Sequence, residues 1–158
     1  MFKKLLCAAL ICGGVQFALA EQPAPYHSMN GYSVEFPAEG KQNVIDVFTF
    51  PSQNPYFKNS LNIMVQDVSE TVKTLEEYTQ LTVSQYEQMK AMPEITDTVV
   101  DGLPAKQLIV EVNNLKFLQI FLIKDEKEVY LLTYTSLPLE FDSNLPAVQK
   151  VLASWKLK

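Results

Sequence analysis

The run from Ile95 to Thr135 constrains the fold of this chain more than any other segment, because it predicts several β-strands joined by tight turns. Asp101-Gly102 and Asn113-Asn114 indicate two-residue turns, since these residue types tolerate the positive φ angles that hairpins need. The charged triplet at 125–127 (D-E-K) indicates a third reversal. Between the turns lie segments rich in β-branched and aromatic residues: Ala105–Val112, Lys116–Lys124 and Glu128–Thr135. We expect an antiparallel meander here.

Three further strands are predicted before this meander. Tyr32–Phe36 alternates polar and apolar residues and ends at Pro37. Val44–Phe50 is apolar on nearly both faces, which we interpret as a strand covered on two sides. Leu61–Val68 alternates again.

Two helices are also predicted. Thr74 and Glu77 have capping-box spacing, and the helix that follows is expected to end near Met92, before Pro93. Its predicted core face is Leu75, Tyr78, Thr82, Tyr86 and Met89, with Leu81 beside them. The last helix is expected to be capped within 142–144 (D-S-N), with Pro146 in its first turn. Its apolar residues recur every three or four positions: Phe141, Leu145, Val148, Leu152 and Trp155.

The predicted order is β-β-β-α-β-β-β-β-α, which is an α+β arrangement dominated by hairpins. Each helix has one apolar stripe and must pack on the sheet. The strand Lys116–Lys124 is apolar on both faces apart from Gln119, which favours cover on both sides. We therefore expect an α/β/α sandwich with a central, mainly antiparallel sheet of about six or seven strands and helices on both faces.

Residues 1–20 have the three parts of an export signal. Lys3-Lys4 is the basic start, Leu5–Phe17 the apolar middle and Ala18-Leu19-Ala20 the small-residue cleavage site. We expect cleavage after Ala20 and a periplasmic or secreted protein of the Gram-negative type. Residues 21–30 are predicted to form a flexible arm and residues 31–158 a single domain. No later run has the apolar length of a membrane helix.

Cleavage would remove both cysteines and two of the thirteen basic residues, so the net charge would move from −5 to −7. The mature chain would then have no thiol for redox work, nucleophilic attack or zinc binding. All thirteen basic residues are lysine, and arginine is the usual residue for bidentate contacts to phosphate and guanine. An acidic chain without arginine is not expected to bind nucleic acid or anionic lipid headgroups.

No catalytic, cofactor or metal site is predicted. His27 is the only histidine and lies in the predicted arm, where no nucleophile or orienting group can be named. The acids do not have the spacing of a calcium loop, and zinc would need a second histidine. We expect Asp125, Glu126 and Glu128 to keep a hairpin tip in water.

Two loops hold apolar residues that suggest binding to a partner. Tyr56-Phe57 lies in the polar loop 51–60, and Leu137, Leu139 and Phe141 lie in the loop after Thr135. These side chains are either anchors of an interface or a lid folded over the core. Both loops can flank a shared groove, but the sequence alone does not bring them together.

Four segments resemble the PsbP/DcrB-like superfamily of small exported or lumenal domains. They are Tyr32–Pro37, Asp101–Ala105, Val129–Tyr134 and Ser154-Trp155-Lys156. Many members have a tryptophan shortly after the first proline, whereas here Ala38-Glu39-Gly40 follows Pro37. The resemblance implies an α/β/α sandwich and a non-enzymatic role, and it supplies no catalytic residues. Members include an extrinsic subunit of photosystem II, a Ran-binding protein and periplasmic proteins of poorly defined purpose.

Two functions remain open at this point. The first is a periplasmic accessory module that docks onto an envelope protein without enzymatic activity. The second is a carrier or sensor of a small apolar ligand or lipid, held between the sheet and a helix. Methionine and tyrosine residues permit such a cavity: Met64, Met89, Met92, Tyr78 and Tyr86.

Overall fold

The computed structural model describes residues 26–27, 31, 33–34, 45–68 and 70–157. The chain divides into two units, residues 1–41 and 42–158. In the first unit, Tyr26–His27 (β1) pairs antiparallel with Ser33–Val34 (β2). The predicted signal peptide, most of the predicted arm and most of the predicted strand Tyr32–Phe36 lie outside the described residues.

The second unit holds one six-stranded antiparallel sheet and two α-helices. The strands are Ile45–Phe50 (β3), Asn59–Asp67 (β4), Glu94–Val100 (β5), Leu103–Val112 (β6), Leu115–Lys124 (β7) and Glu128–Ser136 (β8). The helices are Leu75–Gln88 (α1) and Phe141–Ser154 (α2), and the 3-10 helix Pro138–Glu140 precedes α2. The spatial order of the strands is β3-β4-β8-β7-β6-β5. The predicted α+β class and antiparallel sheet are confirmed.

The predicted turns make the meander. Asp101-Gly102 and Asn113-Asn114 all have positive φ, between 48° and 82°, as hairpin turns of two residues require. The third reversal has positive φ at Asp125 and Glu126. Because these turns are short, β5 to β8 pair in sequence order, and β8 closes the meander against β4.

Two clusters of apolar residues pack against the sheet. Leu118, Ile120 and Leu122 of β7 belong to the first cluster, which also contains Phe141 and Val148 of α2. Phe117, Phe121 and Ile123, which alternate with them along β7, belong to the second cluster. Tyr78 and Tyr86 of α1 also lie in this second cluster. Alternate residues of β7 therefore belong to different clusters, as alternation along a strand predicts.

The interpretation of β3 as a strand covered on both sides is wrong. β3 lies at the edge of the sheet, with β4 as its neighbour, and five of its six residues are exposed. Ile45, Val47 and Phe48 each leave more than half of their surface exposed. A strand that is apolar on both faces is expected in the centre of a sheet, but the order of the strands put this one at the rim.

The helix ends differ slightly from the predicted ones. α1 begins with the predicted capping box at Thr74 and Glu77 but ends at Gln88, with Met89 as its C-cap rather than near Met92. α2 begins at Phe141 with Glu140 as N-cap, so that Pro146 lies inside the helix and removes one backbone donor. The helix therefore begins before the polar residues that were expected to cap it, and its first residue, Phe141, is only 1% exposed.

Within the described residues, neither helix has the length and apolar character needed to cross a membrane.

Candidate functional site

The loop between β3 and β4 displays Tyr56 on an ordered turn. The backbone N–H of Phe57 donates to the carbonyl of Asn54 at 3.3 Å, and the N–H of Tyr56 donates to Oδ1 of Asn54 at 2.9 Å. Asparagine followed by Pro55 is a favoured start for such a turn. Tyr56 is 97% exposed and Phe57 is half-buried. The tyrosine therefore does not cover the core, whereas the phenylalanine is partly packed.

The segment between β8 and α2 displays Leu139 in a similar way. Leu139 lies in the 3-10 helix and is 99% exposed, while Leu137 before it is half-buried. Phe141 belongs to the core: its ring centroid lies 5.2 Å from that of Tyr134, and Nζ of Lys116 lies 4.4 Å from its ring. Of the three apolar residues predicted here as contact residues, Leu139 is therefore the most accessible and Phe141 is inaccessible.

A buried asparagine joins the two loops. Nδ2 of Asn59 donates to the carbonyl of Pro51 at 2.9 Å and to Oε2 of Glu140 at 2.6 Å. Its Oδ1 accepts a hydrogen bond from Oγ of Ser136 at 2.9 Å. Asn59 and Ser136 are both fully buried, and all the hydrogen-bonding atoms of the Asn59 side chain have partners.

Glu140 completes this network from the second loop. Its Oε1 accepts the backbone N–H of Gln53 at 2.9 Å. The hydrogen bond from Asn59, and after it those from Ser52 and from the N–H groups of Gln53 and Asn54, hold the pKa of Glu140 below its ordinary value. The carboxylate of Glu140 is therefore ionised at neutral pH, where it links the two loops through these hydrogen bonds and does not donate a proton.

The structure thus brings together two loops whose proximity could not be predicted from the sequence. A cavity of about 280 Å³ lies between them, lined by Gln53, Leu137, Leu139, Glu140 and Asn114 among others. We call Tyr56, Phe57, Leu137 and Leu139 the loop-end surface. Sequence reasoning missed Asn59, Ser136 and Glu140, because their hydrogen bonds join residues that are far apart in the chain and no local sequence pattern indicates them.

A second, larger cavity of about 430 Å³ lies between α1 and the sheet. Met64, Met89, Tyr78 and Tyr86, which the sequence proposed for such a cavity, line it; Met92 does not and is 83% exposed. Burial raises the pKa of both tyrosines, so that their hydroxyls stay protonated. The ring of Tyr78 packs edge-on against Phe121, with 5.1 Å between centroids.

No metal centre is found in the part of the chain that the structure describes, where no three acidic, histidine or cysteine side chains are grouped to hold an ion. His27 lies in β1, paired with Ser33.

The fold is shared with a solved structure of unknown function. No protein-family model matches the chain, and no curated protein matches it. PA94, a protein of unknown function from Pseudomonas aeruginosa, aligns with a TM-score of 0.66 at 18% sequence identity, over 85% of this chain and 96% of that one. The cyanobacterial PsbP of Synechocystis aligns with a TM-score of 0.44 at 13% identity, over 90% and 94% of the two chains. The first likeness shows the fold alone, and a TM-score of 0.44 is too low to add to it.

Proposed function

We propose that this chain is a non-enzymatic accessory module of the periplasm that docks onto an envelope protein through the loop-end surface. One observation carries the proposal: Tyr56 and Leu139, the most exposed large apolar side chains of the described residues, lie on two loops that a buried hydrogen-bond network joins. Isolated exposed apolar residues are common, but two on loops that are fixed to each other form a defined surface.

The network lowers the entropy cost of binding. Loops that are free in the unbound protein must be ordered on association, and each ordered side chain or segment weakens the affinity. Here Asn54 holds the turn beneath Tyr56, while Asn59 holds Glu140, the residue next to Leu139. Tyrosine is enriched among the residues that dominate interface energetics, and Phe57 and Leu137, half-buried beside the exposed pair, would extend the apolar patch.

The periplasmic location and the PsbP/DcrB-like relationship belong to this proposal. The tripartite pattern of residues 1–20 supports export, and the order of strands and α-helices in the second unit, β-β-α-β-β-β-β-α, supports the relationship. We also infer helices on both faces of the sheet, since alternate residues of β7 join the cluster of α1 and the cluster of α2.

A carrier or sensor of a small apolar ligand is the second candidate function. The cavity of about 430 Å³ beneath α1 favours it, because its volume lies in the range of small-molecule sites. The two functions use different parts of the molecule and can be tested separately.

The docking function is tested by photo-crosslinking in cells. A photoreactive residue is placed at Tyr56 or at Leu139, and in control variants at Glu126 and at Val99. Glu126 lies on the β7–β8 turn, at the opposite end of the sheet from the loop-end surface, and Val99 is an exposed apolar residue of edge strand β5. We expect one discrete adduct from both loop positions and none from either control.

Failure of docking has a clear signature. Adducts of equal yield at all four positions would mean non-specific contact, and the absence of an adduct at Tyr56 and Leu139 would remove the loop-end surface as an interface. A double variant, Tyr56→Ser with Leu139→Ser, is expected to fold normally because both side chains are exposed, and to abolish co-purification of the crosslinked partner.

A further inference from the structure

A buried amide acceptor lies unpaired at the cavity beneath α1. Nε2 of Gln119 donates to Oγ1 of Thr133 at 3.4 Å, but Oε1 of Gln119 is buried and has no hydrogen-bond partner among the described residues. Oδ1 of Asn62 is likewise buried and unpaired within that part of the chain. Asn62, Thr133 and Gln119 are direct cross-strand neighbours on β4, β8 and β7. We call these three residues the polar row.

An unpaired buried oxygen is costly and needs an explanation. Most buried polar side-chain atoms in native proteins have a partner, and an unmade hydrogen bond costs the desolvation of the group. An apolar residue at position 119 would avoid this cost. It would also match its surroundings, because Phe121 on the same strand and Leu131 on the next are apolar and line the same cavity. A ligand that brings a donor would satisfy the acceptor.

The rest of the lining restricts the chemistry of that ligand. None of the residues that line the cavity is charged, in a chain of net charge −5. An ionised group would lose its hydration there without gaining a counter-charge. Apolar side chains such as Met64, Phe121 and Leu131 offer contact for a hydrocarbon body, and methionine adapts to ligands of different shape.

We infer that this cavity binds a small uncharged amphiphile, such as a fatty alcohol, whose hydrocarbon body packs on Met64, Phe121 and Leu131. Oε1 of Gln119 is closed to water in the unbound protein, and rotation of the amide towards the cavity lets the hydroxyl of the ligand donate to it. Leu81 and Met89 line the cavity and are about half-exposed, so they form its mouth. This inference deepens the carrier function and rests on it; it is independent of docking through the loop-end surface.

The test is a titration of the purified full chain with three probes that share the same linear ten-carbon chain: decanol, methyl decanoate and decanoate. Decanol can donate a hydrogen bond, methyl decanoate cannot, and decanoate is charged. We expect decanol to bind about three- to tenfold more tightly than the ester, as one hydrogen bond allows, and decanoate to bind most weakly. In methionine methyl NMR spectra, the signals of Met64 and Met89 should shift on addition of decanol while that of Met92 stays in place.

Two variants address the acceptor and the cavity separately. Gln119→Leu keeps a side chain of similar size but removes the acceptor, so decanol should lose about three- to tenfold in affinity while the ester is unaffected. This variant removes an unsatisfied buried oxygen and also the hydrogen bond to Oγ1 of Thr133, so its unfolding temperature should stay close to that of the wild type. Met89→Trp should block all three probes, and Met92→Trp, on an exposed residue outside the lining, should block none.

Each alternative result contradicts a specific part of the inference. If decanol and the ester bind equally to the wild type, or if Gln119→Leu weakens both alike, the hydrogen bond to Gln119 is wrong and the carrier function stands. If no probe binds, or if Met89→Trp and Met92→Trp titrate alike, the cavity is not a ligand site and both the inference and the carrier function fall.

Discussion

Nδ2 of Asn59 and Oε2 of Glu140 lie 2.6 Å apart although 81 positions separate the two residues in the chain. This hydrogen bond joins the loop after β3 to the segment before α2. It is charge-assisted, a type that is shorter and stronger than a bond between neutral groups. It links the two loops that carry Tyr56 and Leu139.

Asn59→Ala is expected to lower the free energy of unfolding by about 1–3 kcal/mol, because it leaves buried polar atoms without this partner. Urea unfolding of the two proteins measures the difference. Gln53→Ala is the matched control, since only the backbone N–H of Gln53 bonds to Glu140. If Asn59→Ala costs no more than the control, the network does not hold the loops.

The lowered pKa of Glu140 predicts that the folded protein loses stability in acid. Hydrogen bonds, first that of Asn59, hold the pKa of this carboxyl below 4.5 in the folded protein. The unfolded chain therefore binds a proton at a higher pH than the folded one, so the stabilisation is present above about pH 4.5 and is lost as the pH falls through the folded pKa. Urea unfolding of the wild type and of Glu140→Gln across this range measures it. The variant should show a shallower loss, and equal slopes would contradict the assignment.

Trp155→Ala is expected to cost about 2–3 kcal/mol, less than the ~3–5 kcal/mol of a fully buried aromatic. The sequence puts Trp155 among the periodic apolar residues of the last helix, and the structure places it, half-buried, against the cluster that contains Val148. Chemical denaturation measures the loss. Leu139→Ala serves as the control because that side chain is exposed, and it should change stability by less than about 0.5 kcal/mol. A similar small change for Trp155→Ala would show that the tryptophan does not anchor the helix.

Asp101 ties the C-terminal segment to the β5–β6 turn. Its Oδ1 accepts from Nζ of Lys156 at 2.7 Å and its Oδ2 from the N–H of Leu157 at 3.0 Å, and the first of these bonds in particular lowers the pKa of Asp101. Asp101→Asn keeps a residue that tolerates the positive φ of this turn but removes the charge. We expect faster amide hydrogen exchange at Leu157 and unchanged exchange in the strands. Unchanged exchange at Leu157 would show that the carboxylate is not required.

Val47→Lys tests the position of β3 at the edge of the sheet. Val47 is 59% exposed, so a lysine there should change the free energy of unfolding by less than about 0.5 kcal/mol. Leu61→Lys, at a fully buried position on the neighbouring strand β4, is the contrasting variant and is expected to prevent stable folding. A severe loss from Val47→Lys would mean that this face of β3 is covered after all.

Prediction from the sequence succeeded where the signal is local. The turns at Asp101-Gly102 and Asn113-Asn114 depend on two adjacent residues that tolerate positive φ, and the capping box depends on Thr74 and Glu77, one helical turn apart. The candidate site was found in part for the same reason. Aromatic and apolar residues in polar loops can be recognised from the sequence, but their solvent exposure cannot be predicted from it. The exposed Tyr56 and the buried Phe141 were therefore not distinguished.

The sequence by itself determined the order of strands and α-helices from β3 onwards, the hairpin turns and the start of α1, because these follow from interactions between residues a few positions apart. Only the tertiary structure decided that β3 lies at an edge, that Asn59 meets Glu140, and that Gln119 leaves an oxygen unpaired at a cavity. These features depend on which strands become neighbours and on how each helix packs against the sheet. Such pairings arise from the packing of the whole core, and alternation along a single strand does not encode them.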